Sequence, residues 1–277
     1  MRKFTLVATA ALAILSHRAP AQSVGKMFVD DLKHSGSDIL AIWTSPFRAS
    51  GKDWLLVAGS AGVFGLSMLA DESVSNWAMR NENSGALRVI EPVRSGGIAY
   101  TGKFIVPPVA AAYIVGLATK NQGIRDGVFG CATSWLAQSG PPKLTYLLVE
   151  RQRPDTSPDN AQRWGVPGDW EDWQKHSFPA GHFANAMSCA TFWSERFDLG
   201  LWSIPVYGVA AAIGVGRLAD GGHWTSDTVL GGILGYAVGR EIARHSLDRG
   251  EERDKRKTGI ILSPERTGTT FGMRITF

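Results

Sequence analysis

One stretch of the chain places an arginine, a histidine and an aspartate at short intervals. In "GRLADGGHWTSD", five residues separate Arg217 from His223, and three residues separate His223 from Asp227. Residues four apart lie on one face of a helix, so we expect the Asp227 carboxylate to hold the His223 imidazole by one nitrogen. The second nitrogen would then be free to act as a nucleophile, as in catalytic triads.

Two upstream stretches could bring an anion to this histidine. "SFPAGHF" resembles a helix entrance that carries His182, and the backbone N–H groups of a helix entrance attract anions. In "YLLVERQRPD", Pro154 predicts that a helix ends at or before Arg153, leaving a guanidinium suited to bidentate binding of an oxyanion. Taken singly, each stretch is ordinary, because Arg-Pro usually marks a helix end and a His–Asp pair usually forms a simple hydrogen bond. Together they predict a site for attack on a bound oxyanion.

In their order and spacing the three stretches resemble a known set of motifs. These are K-x6-R-P, P-S-G-H and S-R-x5-H-x3-D of the type 2 phosphatidic acid phosphatase superfamily, which includes vanadium haloperoxidases and bacterial non-specific acid phosphatases. The matching runs are residues 146–154, 179–182 and 216–227. The resemblance is strong over about residues 140–240 and less specific from about residue 50. It implies an all-α fold, a helical bundle of the acid phosphatase and haloperoxidase type.

The resemblance also implies a role for each matching residue. His223 would attack phosphorus and form a phosphohistidine, His182 would protonate the leaving oxygen, and Asp227 would stabilise the imidazolium. The residues implied to bind the phosphate are Arg153, Arg217, Gly181, Tyr146 and Ala180. Neither a metal nor another cofactor is implied.

Three positions depart from the family pattern. Tyr146 stands where the family has lysine, and Ala180 and Gly216 stand where it has serine. Ala180 has no hydroxyl to donate to a phosphoryl oxygen, and one such donor contributes on the order of 3 kcal/mol to the transition state. Lys143, one helical turn before Tyr146, is a hypothetical substitute for the missing charge.

These residues predict a metal-independent phosphatase that hydrolyses a phosphate monoester or diphosphate. Long apolar helices and a tryptophan-bearing loop favour a lipid phosphate taken from a membrane surface. Two alternatives stay open: a phosphate-binding protein of the same fold with weakened catalysis, and a vanadate-dependent haloperoxidase. The missing lysine counts against the haloperoxidase, which needs permanent neutralisation of its oxyanion. The oligomeric state is not predicted.

Apolar runs without charge predict helices over residues 54–70, 104–119, 127–142, 199–216 and 228–239. Their lengths, from 12 to 18 residues, straddle what a membrane span requires. A mean hydropathy of −0.05 favours a soluble or peripheral bundle. The 32 glycines indicate helices that approach one another closely. Residues 155–178 form a polar stretch with three tryptophans, which predicts a long loop that is either a lid or lipid-facing rim, or a segment pinned to the bundle.

The two ends of the chain are expected to differ from this helical domain. Residues 1–21 carry a basic start, an apolar run and an A-x-A site, which favours a cleaved export signal over the alternative, an uncleaved anchor helix. The protein is therefore expected to be exported to the periplasm, where contact with a membrane is possible. Residues 22–248 would form the phosphatase domain. Residues 249–277 are expected to form a charged linker, and after it strand-like residues 259–262 and 270–277 predict a small C-terminal β-hairpin.

The charge balance bears on nucleic-acid binding, and the two cysteines bear on whether the protein contains a disulfide. Without the three basic residues of segment 1–21, 26 basic residues face 25 acidic ones, which leaves no basic excess to support nucleic-acid binding. The two cysteines, Cys131 and Cys189, could form a disulfide in an oxidising compartment or remain buried thiols.

Overall fold

The computed structural model describes residues 23–92, 102–166, 172–258, 261–265 and 268–272. Within these ranges the protein is a helical bundle, which confirms the predicted all-α class. The helices are α1 (Val24–Thr44), α2 (Gly51–Ser67), α3 (Asp71–Arg80), α4 (Gly85–Val89), α5 (Gly102–Ala118), α6 (Gln122–Tyr146), α7 (Gly181–Arg196), α8 (Ser203–Ala219) and α9 (Thr225–Thr258). The strands are β1 (Glu150–Arg151), β2 (Trp164–Gly165), β3 (Ile261–Glu265) and β4 (Gly268–Gly272). Residues 1–21, predicted to be an export signal, lie outside the described residues.

Helix α7 packs against α6, α8 and, most extensively, α9. The contact between α7 and α9 is a seam of glycines. Gly231, Gly235 and Gly239 of α9 face the carbonyl oxygens of Ala180, Ala184 and Ser188 respectively. A Cβ atom at any of these glycines would collide with that backbone, so the two helices can approach this closely only because the side chains are absent. The predicted close approach of helices is confirmed at this seam.

The two cysteines form a disulfide that joins α6 to α7. Cys131 and Cys189 are bonded, and 58 positions separate them in the sequence. The bridge lies beside a buried apolar cluster of Ala137, Phe192, Val238, Ile242 and Ala243. Of the two possibilities that the sequence left open, the structure contains the disulfide.

Two apolar helical segments lie on the outside of the bundle. Gly51–Arg80 and Gly200–Ala219 are long and apolar enough to cross a membrane, and their most apolar windows are 0% and 28% buried. In α2, Leu55, Leu56 and Leu66 each expose more than two thirds of their surface. The interior helices of a soluble bundle bury such side chains, so α2 does not have the character of a core helix.

The C-terminal region differs in part from the sequence prediction. Helix α9 continues to Thr258, through the charged residues expected to form a linker. Glu, Arg and Lys are good helix formers, which favours continuation of the helix. Strands β3 and β4 pair antiparallel from Ile261–Gly272 to Glu265–Gly268, which confirms the hairpin. The pairing extends beyond the two strand-like segments that the sequence indicated, because Ser263, Pro264 and Glu265 pair with Thr270, Thr269 and Gly268.

Candidate active site

Helix α7 begins beside the start of α9 and carries two of the predicted site residues. Its first residue is Gly181, and the preceding residue, Ala180, is fully buried. No described side chain caps this helix, because alanine has no acceptor. The Ala180 N–H donates to the Asp227 carbonyl oxygen at 3.1 Å, which fixes the helix entrance against the first turn of α9. The next N–H groups have no acceptor within their own helix and are suited to an anion.

His223 is buried, with 1% of its surface exposed, in the bend just before α9. Its Nδ1 lies 2.5 Å from the Ser177 carbonyl oxygen, which requires a proton on Nδ1. Its Nε2 is buried and has no hydrogen-bond partner among the described residues. Burial, followed by the positive charges of Arg217 and Arg153, lowers the pKa of His223 well below its ordinary value. The ring is therefore neutral, with a free lone pair on Nε2.

Asp227 does not hold His223 directly, so this part of the sequence prediction is wrong. Within the described residues the carboxylate accepts hydrogen bonds from Arg151 Nη1 at 2.5 Å, Ser177 Oγ at 2.5 Å and the Trp224 N–H at 2.9 Å. The reason is that α9 starts at Thr225, so His223 precedes the helix and the spacing of four does not place the two side chains on one face. Ser177 links them instead, by its hydroxyl to Asp227 and by its carbonyl to His223.

The Asp227 carboxylate is fully buried among these donors. Burial raises its pKa above the ordinary value, and the charge of Arg151 is the largest influence in the opposite direction. Three donors converge on its two oxygens, and this arrangement fits the ionised form.

Both predicted arginines lie near His223, as the lowering of its pKa by their charges requires. Arg217, at the end of α8, is 8% exposed, and its guanidinium packs against Gly222, where a Cβ atom would overlap it. Arg153 does not end a helix, contrary to the sequence prediction. Helix α6 stops at Tyr146, and Arg153 follows strand β1, with its N–H donating to the Gln174 carbonyl at 3.0 Å.

Arg153 retains free hydrogen-bonding capacity. Its Nη2 donates to the His176 carbonyl at a long 3.5 Å, and its Nε has no partner in the part of the chain that the structure describes. The Arg153 guanidinium therefore keeps N–H groups with which it can bind an oxyanion bidentately.

His182 is exposed in the first turn of α7. Desolvation by neighbouring atoms, followed by the positive charge of Arg153, lowers its pKa below 6.5. Arg153 therefore influences both histidines, which places His182 and His223 at the same site.

Tyr146 takes the place of the family's lysine at the end of α6. Its hydroxyl donates to the Pro179 carbonyl at 3.3 Å, and its ring stacks on His176 with centroids 4.8 Å apart. A Cβ atom built at Gly181 would lie 3.8 Å from this hydroxyl, so Tyr146 borders the entrance of α7. Burial raises its pKa to about 12, so the phenol stays neutral and adds no charge. Lys143 is exposed on α6.

Four fully buried residues around Asp227 were not predicted from the sequence. Arg151, Asp71, Ser177 and Ser226 all have 0% exposure. Arg151 donates to Asp71 and Asp227, and the Ser226 N–H donates to Asp71 Oδ1 at 2.7 Å. Arg151 lies two residues before Arg153, so a second arginine in that stretch was a usable signal. Nothing in the sequence pairs Asp71 with residues 80 or more positions away.

Trp164 bears on the two interpretations of the tryptophan loop. Its ring lies 4.6 Å from Arg151 Cζ and meets Phe178 edge-on at 5.3 Å. These contacts pin Trp164 to the bundle. Trp170 lies outside the described residues, so the lid or rim interpretation stays untested there.

The site therefore combines two histidines, two arginines and an uncapped helix entrance at one end of a helical bundle, an arrangement that suits binding of an oxyanion. Residues 128–250 match the model of the PAP2 superfamily. The matched range contains every residue that the sequence predicted for the site.

A curated relative is the lipid A 1-phosphatase of Porphyromonas gingivalis, which is 39% identical to this chain over 66 residues. The match covers 23% of this chain and 15% of that relative. No solved structure matches the chain with significant similarity.

Proposed function

We propose that the protein is a phosphatase that hydrolyses a phosphate ester through a phosphohistidine on His223. The observation that carries this proposal is the His223 ring, whose Nδ1 is held by the Ser177 carbonyl while its buried Nε2 has no partner in the described structure. Arg153 and Arg217 lie close enough to lower the pKa of this ring. A neutral nucleophile beside two guanidinium groups suits attack on a phosphorus atom whose oxygens those groups neutralise.

The proposed reaction has two steps. In the first, His223 Nε2 forms a bond to phosphorus while the ester P–O bond breaks, and His182 gives its proton to the leaving oxygen. In the second, water attacks the phosphohistidine, His182 takes a proton from that water, and the N–P bond breaks to release phosphate and neutral His223. Arg153, Arg217 and the Gly181 N–H bind the non-bridging oxygens throughout.

We propose a lipid phosphate as the substrate. The relative from Porphyromonas gingivalis is named for lipid A, although it shares only a short segment with this chain. Helix α8 ends close to Arg217, and α2 reaches the site through Phe64, whose ring lies 5.3 Å from Phe178. Both outward-facing apolar helices therefore run toward the site with their C-terminal ends. Insertion of these helices into a bilayer would place the site near one membrane surface, in keeping with the expected periplasmic location.

Release of phosphate by the full chain tests the reaction. We expect purified protein to hydrolyse a chromogenic phosphate ester in the presence of a chelator, and His223→Gln to lose at least about 1000-fold in kcat. Glutamine keeps a polar side chain but cannot form the phosphohistidine. Trapping of labelled phosphate on the wild-type protein, but not on the variant, identifies the intermediate. Equal rates for the two proteins contradict the mechanism.

A second candidate function is phosphate binding without efficient turnover. Tyr146 and Ala180 favour it, because they remove one charge and one donor that the family pattern supplies. Vanadate, which resembles phosphate, distinguishes the two: tight vanadate binding with no turnover across soluble and lipid substrates supports the binding protein.

A further inference from the structure

We propose that Asp71, Arg151 and Ser177 are positioning residues that hold the His223 imidazole with its proton on Nδ1 and its lone pair on Nε2. This inference rests on the proposed function, in which Nε2 is the attacking atom. Asp71 lies on α3, outside the range that the PAP2 superfamily model matches. The positioning therefore depends on a helix that lies outside the part of the chain matched by the superfamily model.

The network begins at Ser177, which contacts both His223 and Asp227. Its carbonyl oxygen accepts from His223 Nδ1, and its hydroxyl donates to Asp227 Oδ2, each at 2.5 Å. Its own N–H donates to the Arg151 carbonyl at 3.1 Å. The N–H and the hydroxyl of Ser177 thus both hold this residue in place, and with it the carbonyl that selects the His223 tautomer.

Asp227 is in turn held by Arg151, whose hydrogen-bonding capacity is fully used. Its Nη1 donates to Asp227 and Ser226, its Nη2 donates to Asp71 and the Ala161 carbonyl, and its Nε donates to the same carbonyl. A guanidinium has five N–H groups, and these five contacts account for all of them. Arg151 therefore has no donor left for a substrate and differs in this from Arg153.

The Asp71 carboxylate binds both the Arg151 guanidinium and the first turn of α9. Its Oδ2 accepts from Arg151 Nη2 at 2.6 Å, and its Oδ1 accepts from the Ser226 N–H at 2.7 Å. Asp71, Arg151 and Asp227 are all 0% exposed, and an ion network buried in this way has a single low-energy arrangement. Because α9 follows His223 directly, holding its first turn also holds the backbone on which the imidazole sits.

Two single variants and their combination test the network. Ser177→Ala removes the bond to Asp227 but keeps the carbonyl, and Asp71→Asn removes one charge with little change of shape. We expect each to lower kcat about 10- to 100-fold and to change KM less than about 3-fold. Because both act through Asp227, the double variant should lose clearly less than the product of the two losses. Multiplied losses, or an effect confined to KM, overturn the proposal.

A matched control separates positioning from the general cost of losing a buried ion pair. Asp31 makes a bidentate pair with Arg125 at 2.9 and 2.6 Å, remote from the site, with an 11% exposed side chain. We expect Asp31→Asn to lower the melting temperature while leaving kcat within about 3-fold of wild type. A loss of kcat in Asp31→Asn equal to that in Asp71→Asn contradicts positioning.

Nitrogen NMR of labelled histidine gives a readout that does not need activity. The wild-type His223 ring should show a protonated Nδ1 and an unprotonated Nε2, and Ser177→Ala should shift it toward a mixture of tautomers. Wild-type signals of this kind without turnover would defeat the proposed function and leave the positioning intact. An unchanged ring in Ser177→Ala overturns the positioning. If Asp71→Asn fails to fold, the kinetics and NMR of Ser177→Ala still decide the question.

Discussion

Ala180 is the residue at which this site departs most plainly from the family pattern. It precedes the first turn of α7, is fully buried and offers no hydroxyl. The residue therefore contributes neither a helix cap nor a donor to a bound phosphoryl oxygen. At the scale of single residues, the missing hydroxyl at Ala180 predicts that this position limits activity.

We expect Ala180→Ser to raise kcat/KM by about 100-fold or more, because one donor to the transition state contributes on the order of 3 kcal/mol. The measurement is steady-state hydrolysis of a phosphate ester. Ala184→Ser is the matched control: Ala184 is equally buried one turn further along α7, and its hydroxyl would bond the preceding backbone. An increase of the same size in both variants would show that the gain does not come from phosphate contact.

The two histidines predict an acidic pH optimum. His182 must be protonated to act as the acid, and its surroundings and Arg153 lower its pKa below 6.5. The pKa of His223 is lowered well below 6.5, so it stays neutral at the acidic pH where His182 is charged. We expect kcat/KM for an alkyl phosphate to fall as pH rises through the pKa of His182. A plateau that persists above about pH 7.5 would be incompatible with this assignment.

The sequence indicated most of the side chains that we propose to react, but not the residues that hold them. Arg153, His182, Arg217 and His223 are recognisable because their spacing within short motifs is local information. The bond from His223 to Ser177 was missed because it joins a bend to a backbone carbonyl 46 positions away. Asp71 was missed for the same reason, since only the folded chain brings α3 against the start of α9.

At the scale of elements, the site depends on how closely α7 and α9 approach. Helix α7 carries His182, and His223 directly precedes α9, so the glycine seam sets the separation of the two histidines. The abundance of glycine predicted that some helices pack closely, but not that these helices are α7 and α9. That depends on which glycines align across the contact, which sequence spacing alone does not give.

We expect Gly235→Ala to lower the free energy of unfolding by about 1–3 kcal/mol, because its Cβ atom would press on the Ala184 carbonyl. The displacement of α7 should also lower kcat. Gly250→Ala, on the same helix with nothing within 4 Å, should instead stabilise the protein by about 0.5–1 kcal/mol. Denaturant unfolding and kinetics of both variants check the prediction, and a Gly235→Ala protein as stable as wild type would show that the seam is not tight.

At the scale of the whole molecule, the outward-facing apolar helices run toward the site with their C-terminal ends. The segment Gly51–Arg80 has a mean hydropathy of 1.5 in its most apolar window, and none of that window is buried. The sequence predicted these apolar runs, and an overall mean hydropathy near zero favoured a soluble or peripheral bundle. It did not indicate that the runs face outward. Their outward position favours contact with lipid.

Replacing two exposed leucines of α2 should separate membrane contact from catalysis. We expect Leu55→Glu combined with Leu66→Glu to weaken binding to phospholipid vesicles by about 100-fold or more, because each buried leucine contributes about 1.5–3 kcal/mol. Hydrolysis of a lipid phosphate in mixed micelles should fall with it, while a soluble phosphate ester is hydrolysed at the wild-type rate. Val89→Glu, at a 78% exposed position on α4, is the control and should leave vesicle binding unchanged. If the double variant keeps full vesicle binding, α2 does not contact the membrane, and if both substrates are lost together, the substitutions have disturbed the fold rather than the surface.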